Sequence, residues 1–203
     1  MTVTTTHIKD IIAESLTKSM SYEAYRTLVQ NLVAEGKSTG DVQTEALSTY
    51  SMLNDKRMQR LNKTIKLSEE AIAEIKAYTG DVTWLVLTES WCGDAAQTMP
   101  VINKVAELNE NITLKVVLRD DNDALMNEFL TNGGKSIPKL IAIDNTSKNV
   151  IGDWGPRPSK ATKMVNDFKA KHGTLTPEFK KDLQIWYNKD KGQNTIEDLL
   201  KLI

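Results

Sequence analysis

The stretch that most constrains the fold is an apolar run followed closely by the chain's only cysteine. Residues 82–87 are almost continuously apolar, which predicts a strand buried on both faces. A helical pattern resumes at about residue 94, so the segment between them is a strand-to-helix turn. That turn and the first helical residues are Trp91, Cys92, Gly93, Asp94 and Ala95.

A cysteine at the start of a helix lies where thiols become reactive. The helix N-terminus carries about half a positive charge and several unpaired N–H groups, which favour the thiolate and lower the cysteine pKa. Asp94 acts in two directions, because its charge favours the helix but opposes a thiolate at Cys92. Because of its position at the helix end, we expect Cys92 to be a nucleophile despite the charge of Asp94. The alternative is an inert thiol that packs like a small apolar side chain.

Three landmarks in this order resemble thioredoxin-fold proteins. The family's active site is usually written Trp-Cys-Gly-Pro-Cys, which the residues around Cys92 match in part. Pro100 stands nine residues after Trp91, where the family's active-site helix carries the proline that bends it. Residues 136–140, Ser-Ile-Pro-Lys-Leu, resemble the segment in which a cis-proline enters a strand facing the active site. The resemblance covers residues 68–171 and implies an α/β fold with a central mixed sheet flanked by helices.

This chain departs from the family pattern at the positions that serve the second thiol. Its Trp-Cys-Gly-Asp-Ala sequence resembles that of a bacterial thioredoxin-like family, which also has helical extensions. Ala95 stands where the resolving cysteine is expected, so the dithiol cycle cannot run within this chain, and a mixed disulfide at Cys92 would need release by another thiol. Val86 stands where thioredoxins carry a buried acid. The resemblance further implies a cis bond before Pro138 and a groove between Pro138 and Trp91.

The predicted site lies at one edge of the sheet. Functional groups collect beyond the carboxyl ends of parallel strands, here the strands at residues 82–87 and 112–118, and the turn at residues 133–136 leads to the same edge. The predicted site residues are Trp91, Cys92, Asp94, Arg119, Lys135, Ile137 and Pro138.

Several site residues also have simpler interpretations. Trp91 is equally consistent with a packing residue, and Asp94 with a helix-start residue. We favour a local ion pair for Arg119 and a plain turn residue for Lys135 over ligand binding. The connector at residues 153–159, which holds Trp, Arg and two prolines, is interpreted as a rigid strand-to-helix turn.

The pattern of the whole chain predicts one domain over residues 1–203. Residues 1–67 form a helical N-terminal extension, residues 68–172 the thioredoxin-like core, and residues 173–203 a C-terminal helical extension. Helices are predicted at about residues 8–20, 22–32, 41–63, 68–80, 94–108, 123–130, 158–171, 176–188 and 195–203, and strands at residues 82–87, 112–118, 139–143 and 150–154. A basic cluster is interpreted as a solvated helix face: Lys56, Arg57, Arg60, Lys63 and Lys66.

The composition of the chain argues against several classes of partner and ligand. With 26 basic against 27 acidic residues and a net charge of −1, we expect neither a nucleic-acid nor a membrane partner. The first ten residues do not resemble a signal peptide, and a lone cysteine agrees with a reducing compartment, so we expect a cytoplasmic protein. His7 and His172 form no ligand pattern with Cys92, and no metal site is predicted.

Two functions follow from these observations. The first is a monothiol redox protein in which Cys92 forms mixed disulfides with a protein or a low-molecular-weight thiol, with no cofactor other than such a thiol as co-substrate. The second is a non-catalytic binding module that holds an extended peptide in the groove of Trp91 and Pro138. An exposed sulfur of lowered pKa favours the first, and a buried thiol favours the second. The oligomeric state is left open.

Overall fold

The computed structural model describes the backbone of residues 2–203 and the side chains of residues 7–203. Four helices come first: α1 (Thr2–Thr17), α2 (Tyr22–Ala34), α3 (Glu45–Thr64) and α4 (Glu69–Ala77). The alternating part contains β1 (Val82–Thr88), α5 (Gly93–Ala106), β2 (Ile112–Leu118), α6 (Asp123–Glu128), β3 (Lys139–Asp144), β4 (Val150–Trp154) and α7 (Ser159–His172). The chain ends in α8 (Pro177–Asp190), α9 (Gln193–Leu199) and a short 3-10 helix (Leu200–Leu202).

Hydroxyl side chains fix the starts of four helices. Ser21, Thr44, Ser68 and Thr176 each accept a hydrogen bond from the backbone N–H three residues later. Such caps satisfy an otherwise unpaired N–H group. The cap at Thr44 also explains why α3 begins four residues later than predicted. The Gln43 side chain bonds Ser38 and Gly40 and holds the preceding residues in a turn.

The sheet is mixed, with strand order β2-β1-β3-β4. β1 is parallel to β2 and antiparallel to β3, and β3 is antiparallel to β4. The central strand β1 is buried along its whole length, as its apolar run predicts. Because Leu87 pairs with Lys139, the residues just before β3 lie beside the end of β1. This register places the turn after β1 next to the segment that contains Pro138.

The core lies on both faces of the sheet. Its largest fully buried side chains include Trp84, Leu85, Met99, Ile102, Leu140 and Ile141. The predicted α/β fold, a mixed sheet flanked by helices with further helices at both ends, is confirmed.

Two further contacts attach the C-terminal helices α8 and α9 to the rest of the protein. α8 packs on α7 through a second apolar cluster, in which the rings of Phe168 and Phe179 stack at 4.1 Å. α9 follows Gly192, where φ is +84° and a Cβ would lie 2.7 Å from Val101 Cγ2. Only glycine fits this close approach of the tail to α5.

Within residues 2–203, no helix has the length and apolar character needed to cross a membrane. Among the side chains of residues 7–203, no three His, Cys, Asp or Glu residues lie together as metal ligands.

Candidate functional site

Cys92 joins the start of α5 to the loop before β3. It is the N-cap residue of α5, where its Sγ accepts the N–H of Ala95 at 3.4 Å. The Sγ–H donates to the backbone carbonyl of Ile137 at 3.2 Å, and the Ile137–Pro138 peptide bond is cis. Only 9% of Cys92 is exposed. The carbonyl contact requires the protonated thiol, because a thiolate has no hydrogen to donate.

The environment of Cys92 opposes its ionisation. Burial raises its pKa to about 12, and the charge of Asp94 acts in the same direction. The N–H groups of Ala95 and Asp94 and the charge of Arg157 lower the pKa and offset part of this rise. The N–H groups at the helix start do lower the Cys92 pKa, but burial raises it by more. The expectation that Cys92 has a lowered pKa is therefore wrong.

Asp94 is enclosed by groups from two distant parts of the chain. Its side chain is 11% exposed and forms an ion pair with Arg157, with 2.7 Å between Arg157 Nη2 and Asp94 Oδ2. The Tyr187 hydroxyl donates to Asp94 Oδ1 at 3.0 Å. Burial raises the pKa of Asp94, and Arg157 and Tyr187 offset part of that rise. Asp94 therefore links the site to α8 and to the connector after β4, in addition to starting α5.

The turn before Cys92 is anchored by the N-terminal extension. The Ser90 hydroxyl hydrogen-bonds that of Ser51 at 2.6 Å, and Asn54 Nδ2 donates to the Ser90 carbonyl at 2.8 Å. The backbone N–H of Ser90 donates to Thr39 Oγ1 at 2.8 Å. All these residues are buried. Sequence reasoning missed this network, because a lone serine or asparagine on a helix gives no signal of a distant partner.

Glu89 ties the same turn to the loop that follows β2. It is fully buried, and its Oε1 accepts the N–H of Asp120 at 2.9 Å. Its Oε2 is buried with no hydrogen-bond partner among the described residues. Burial is the main cause that raises the pKa of Glu89.

The structure brings only some of the predicted site residues together. The Arg119 guanidinium lies 4.8 Å from the centre of the Trp91 ring and pairs with Asp120 at 2.7 Å. Lys135 instead forms an ion pair with Asp123 on α6. Trp91 and Arg119 therefore form one surface. No described hydrogen bond connects the Lys135 ammonium to that surface.

The Pro138 segment is covered by the connector after β4. Pro138 is buried, and Gly155, with φ +120°, packs so closely that a Cβ there would lie 2.1 Å from the Pro138 carbonyl oxygen. The connector then places Arg157 against Asp94. The predicted rigid turn at residues 153–159 thus also carries a residue of the site.

Beside Trp91 there is a cavity of about 400 Å³, which we call the Trp91 cavity. It lies between α3, the start of α5 and α8. Its lining residues are Leu47, Tyr50, Arg57, Trp91, Gly93, Asp94, Arg157, Leu175, Lys180, Leu183 and Gln184. Ile137 and Pro138 do not line it. The interpretation of the basic cluster as a solvated face does not hold for Arg57, which is half-buried here.

Comparison with known proteins gave one family and two similar structures. Residues 40–169 match the sequence model of a family described as thioredoxin. The crystal structure of a protein of unknown function from Pseudomonas aeruginosa aligns with a TM-score of 0.63 and 17% identity, over 94% of this chain and 95% of that one. An HIV epitope scaffold aligns with a TM-score of 0.57 and 15% identity, over 90% and 97% of the two chains. No curated protein sequence matches the chain.

Proposed function

Since the chain belongs to the thioredoxin family, we propose that it is a thioredoxin-fold binding module in which Cys92 remains a neutral, buried thiol. The observation that carries the proposal is the hydrogen bond from Cys92 Sγ to the Ile137 carbonyl. In that contact the thiol stabilises the loop before β3, and its sulfur is turned toward protein instead of solvent.

The acid-base state of Cys92 supports a non-catalytic role. With a pKa raised to about 12, the thiol stays protonated at pH 7. Disulfide exchange needs the thiolate and access to its sulfur. Ala95 supplies no second thiol, so nothing on α5 would release a trapped partner.

The ligand surface in this proposal is centred on Trp91. Its half-buried ring is bounded by Arg119 on one side and opens to the Trp91 cavity on the other. Pro138 is covered by Gly155, so the open surface lies on the side of α3 and α8 more than along the cis-proline. We propose a protein or small-molecule ligand, no nucleic-acid partner, and a cytoplasmic location.

A monothiol redox function is the second candidate, favoured by the position of Cys92 as the N-cap of α5. In that reaction the Cys92 thiolate attacks a disulfide R–S–S–R′, a Cys92–S–S–R bond forms, and R′–S⁻ leaves. A second thiolate, from a protein or a low-molecular-weight thiol, then attacks the mixed disulfide and restores Cys92. The reaction requires that the Cys92 sulfur first leave the Ile137 carbonyl and become exposed.

The rate of Cys92 alkylation by iodoacetamide against pH separates the two functions. We expect the folded protein to react much more slowly than the unfolded protein, with no midpoint below the ordinary value of about 8.5. The Cys92→Ala variant measures the background. Fast labelling with a midpoint well below that value would overturn the binding-module proposal in favour of the redox function.

A further inference from the structure

We infer that the Trp91 cavity binds a small organic carboxylate with an apolar body. This inference rests on the proposed function, since it names the ligand class of the same site. It adds residues from α3 and α8 to the surface at Trp91.

The size and walls of the cavity suit a small molecule. A volume of about 400 Å³ lies within the range of about 300–1,000 Å³ that is typical of ligand sites. Five of its eleven lining residues are apolar or aromatic: Leu47, Tyr50, Trp91, Leu175 and Leu183. Burying an aliphatic or aromatic body against such side chains is favourable in proportion to the apolar area removed from water.

The charges around the cavity are predominantly positive. Arg57, Arg157 and Lys180 face a single acid, Asp94, which Arg157 and Tyr187 already engage. Among residues 7–203, no carboxylate lies within 4.0 Å of the Arg57 or Lys180 charge. A half-buried cation without a counterion favours an anionic ligand.

Two donors converge on the space above Gly93. A Cβ built on Gly93 would lie 3.8 Å from both Arg57 Nη1 and Gln184 Nε2. Arg57 Nη1 donates one of its two hydrogens to Asn54 Oδ1 at 2.9 Å and keeps the other for a ligand. Gln184 Oε1 accepts from Gln97 at 2.9 Å, which leaves its Nε2 group turned toward Gly93. Because Gly93 has no side chain, this space stays open to an acceptor. Guanidinium and amide donors bind carboxylate oxygens well.

The apolar walls decide which anion fits best. A phosphate ester with a polar body would place hydroxyl groups against the side chains of Leu175 and Leu183, which offer no hydrogen-bond partner. A carboxylate with an apolar body matches both parts of the cavity: the oxygens meet Arg57 and Gln184, and the body meets the leucines and Trp91.

Calorimetric titration of the full chain with three probes tests the ligand class. Octanoate has both parts, 1-octanol lacks the charge, and acetate lacks the apolar body. We expect octanoate to bind at least about 10-fold more tightly than 1-octanol, as one charge-assisted hydrogen bond supplies, and acetate to give no measurable binding. Equal affinity for octanoate and 1-octanol, or no binding of octanoate, would overturn the inference.

Variants locate the binding to the cavity. Gly93→Ala fills the space between the two donors while remaining compatible with the helix, because alanine is the better helix former. We expect it to weaken octanoate binding at least about 10-fold with no loss of thermal stability, and Arg57→Gln to weaken it by about 10-fold. Arg60→Gln is the matched control, since Arg60 is exposed, lies outside the cavity and bonds Asn188. Wild-type affinity in Gly93→Ala would place the ligand elsewhere.

The probe titration and the alkylation experiment fail independently. If octanoate does not bind while Cys92 stays slow to react, the ligand class is wrong and the binding module stands. If octanoate binds while Cys92 reacts fast at neutral pH, the cavity is a ligand site and the non-catalytic proposal is wrong.

Discussion

At the residue scale, the Cys92 thiol satisfies two neighbours with opposite requirements. The N–H of Ala95 needs a lone pair on sulfur, and the carbonyl of Ile137 needs the S–H hydrogen. A neutral thiol meets both, whereas a thiolate meets only the first. Asp94 reinforces this preference, because its charge next to the sulfur raises the Cys92 pKa further.

The Asp94→Asn variant is expected to make Cys92 more acidic. It removes the negative charge beside the sulfur and leaves the positive charge of Arg157 unpaired, and both changes favour the thiolate. The midpoint of Cys92 alkylation against pH should fall by about one unit. Asp123→Asn is the control. Asp123 lies on α6, and its partner is Lys135 and not Arg157. Equal midpoints in the two variants would show that Asp94 does not act on the thiol.

At the scale of elements, the site is held by helices from both ends of the chain. α3 supports the turn before Cys92 through Ser51 and Asn54. α8 reaches the first turn of α5 through the hydroxyl of Tyr187. The sheet therefore supplies the position of Cys92, while α3 and α8 hold the turn before it and the first turn of α5 and line most of the Trp91 cavity.

Ser51→Ala is expected to destabilise the fold by about 1 kcal/mol. It removes the hydrogen bond between the fully buried Ser51 hydroxyl and the Ser90 hydroxyl, which then keeps only its contacts with Thr39. A buried hydrogen bond contributes a net free energy of that order. Ser48→Ala, one turn earlier on α3, removes a contact within the helix and should cost much less. Urea denaturation measures both variants. A Ser51→Ala variant as stable as Ser48→Ala would mean that the network does not anchor the turn.

At the scale of the whole molecule, the burial of the Cys92 thiol makes the free energy of unfolding depend on pH. The pKa of Cys92 is about 12 in the folded state and about 8.5 in an unfolded chain. Above pH 8.5 the unfolded chain loses this proton while the folded chain keeps it. The unfolded state then binds fewer protons, so the free energy of unfolding falls as pH rises.

Between pH 8 and pH 10, the wild type is expected to lose about 1–2 kcal/mol of stability more than Cys92→Ser. The serine hydroxyl does not ionise in this range, and all other groups are common to both proteins. Denaturant unfolding at the two pH values measures the difference. Parallel losses in the two proteins would contradict a buried, neutral Cys92.

The sequence by itself determined those features that depend on neighbouring residues. The apolar run gave β1, the bounds of β2 and β4 agree with their patterns, and the placement of Cys92 at the start of α5 followed from the change of periodicity. These features are local, because they depend on side chains within one or two turns. The motif resemblance then joined the elements into the correct fold.

Only the tertiary structure decided the chemical state of the site. The Ile137 carbonyl, 45 residues away in sequence, accepts the hydrogen of the Cys92 thiol. Burial by side chains from distant parts of the chain raises the Cys92 pKa. The Trp91 cavity likewise joins Arg57, Trp91 and Lys180, which come from three separate parts of the chain. Burial and charge pairing depend on all atoms near a group in space, and no local pattern in the sequence encodes them.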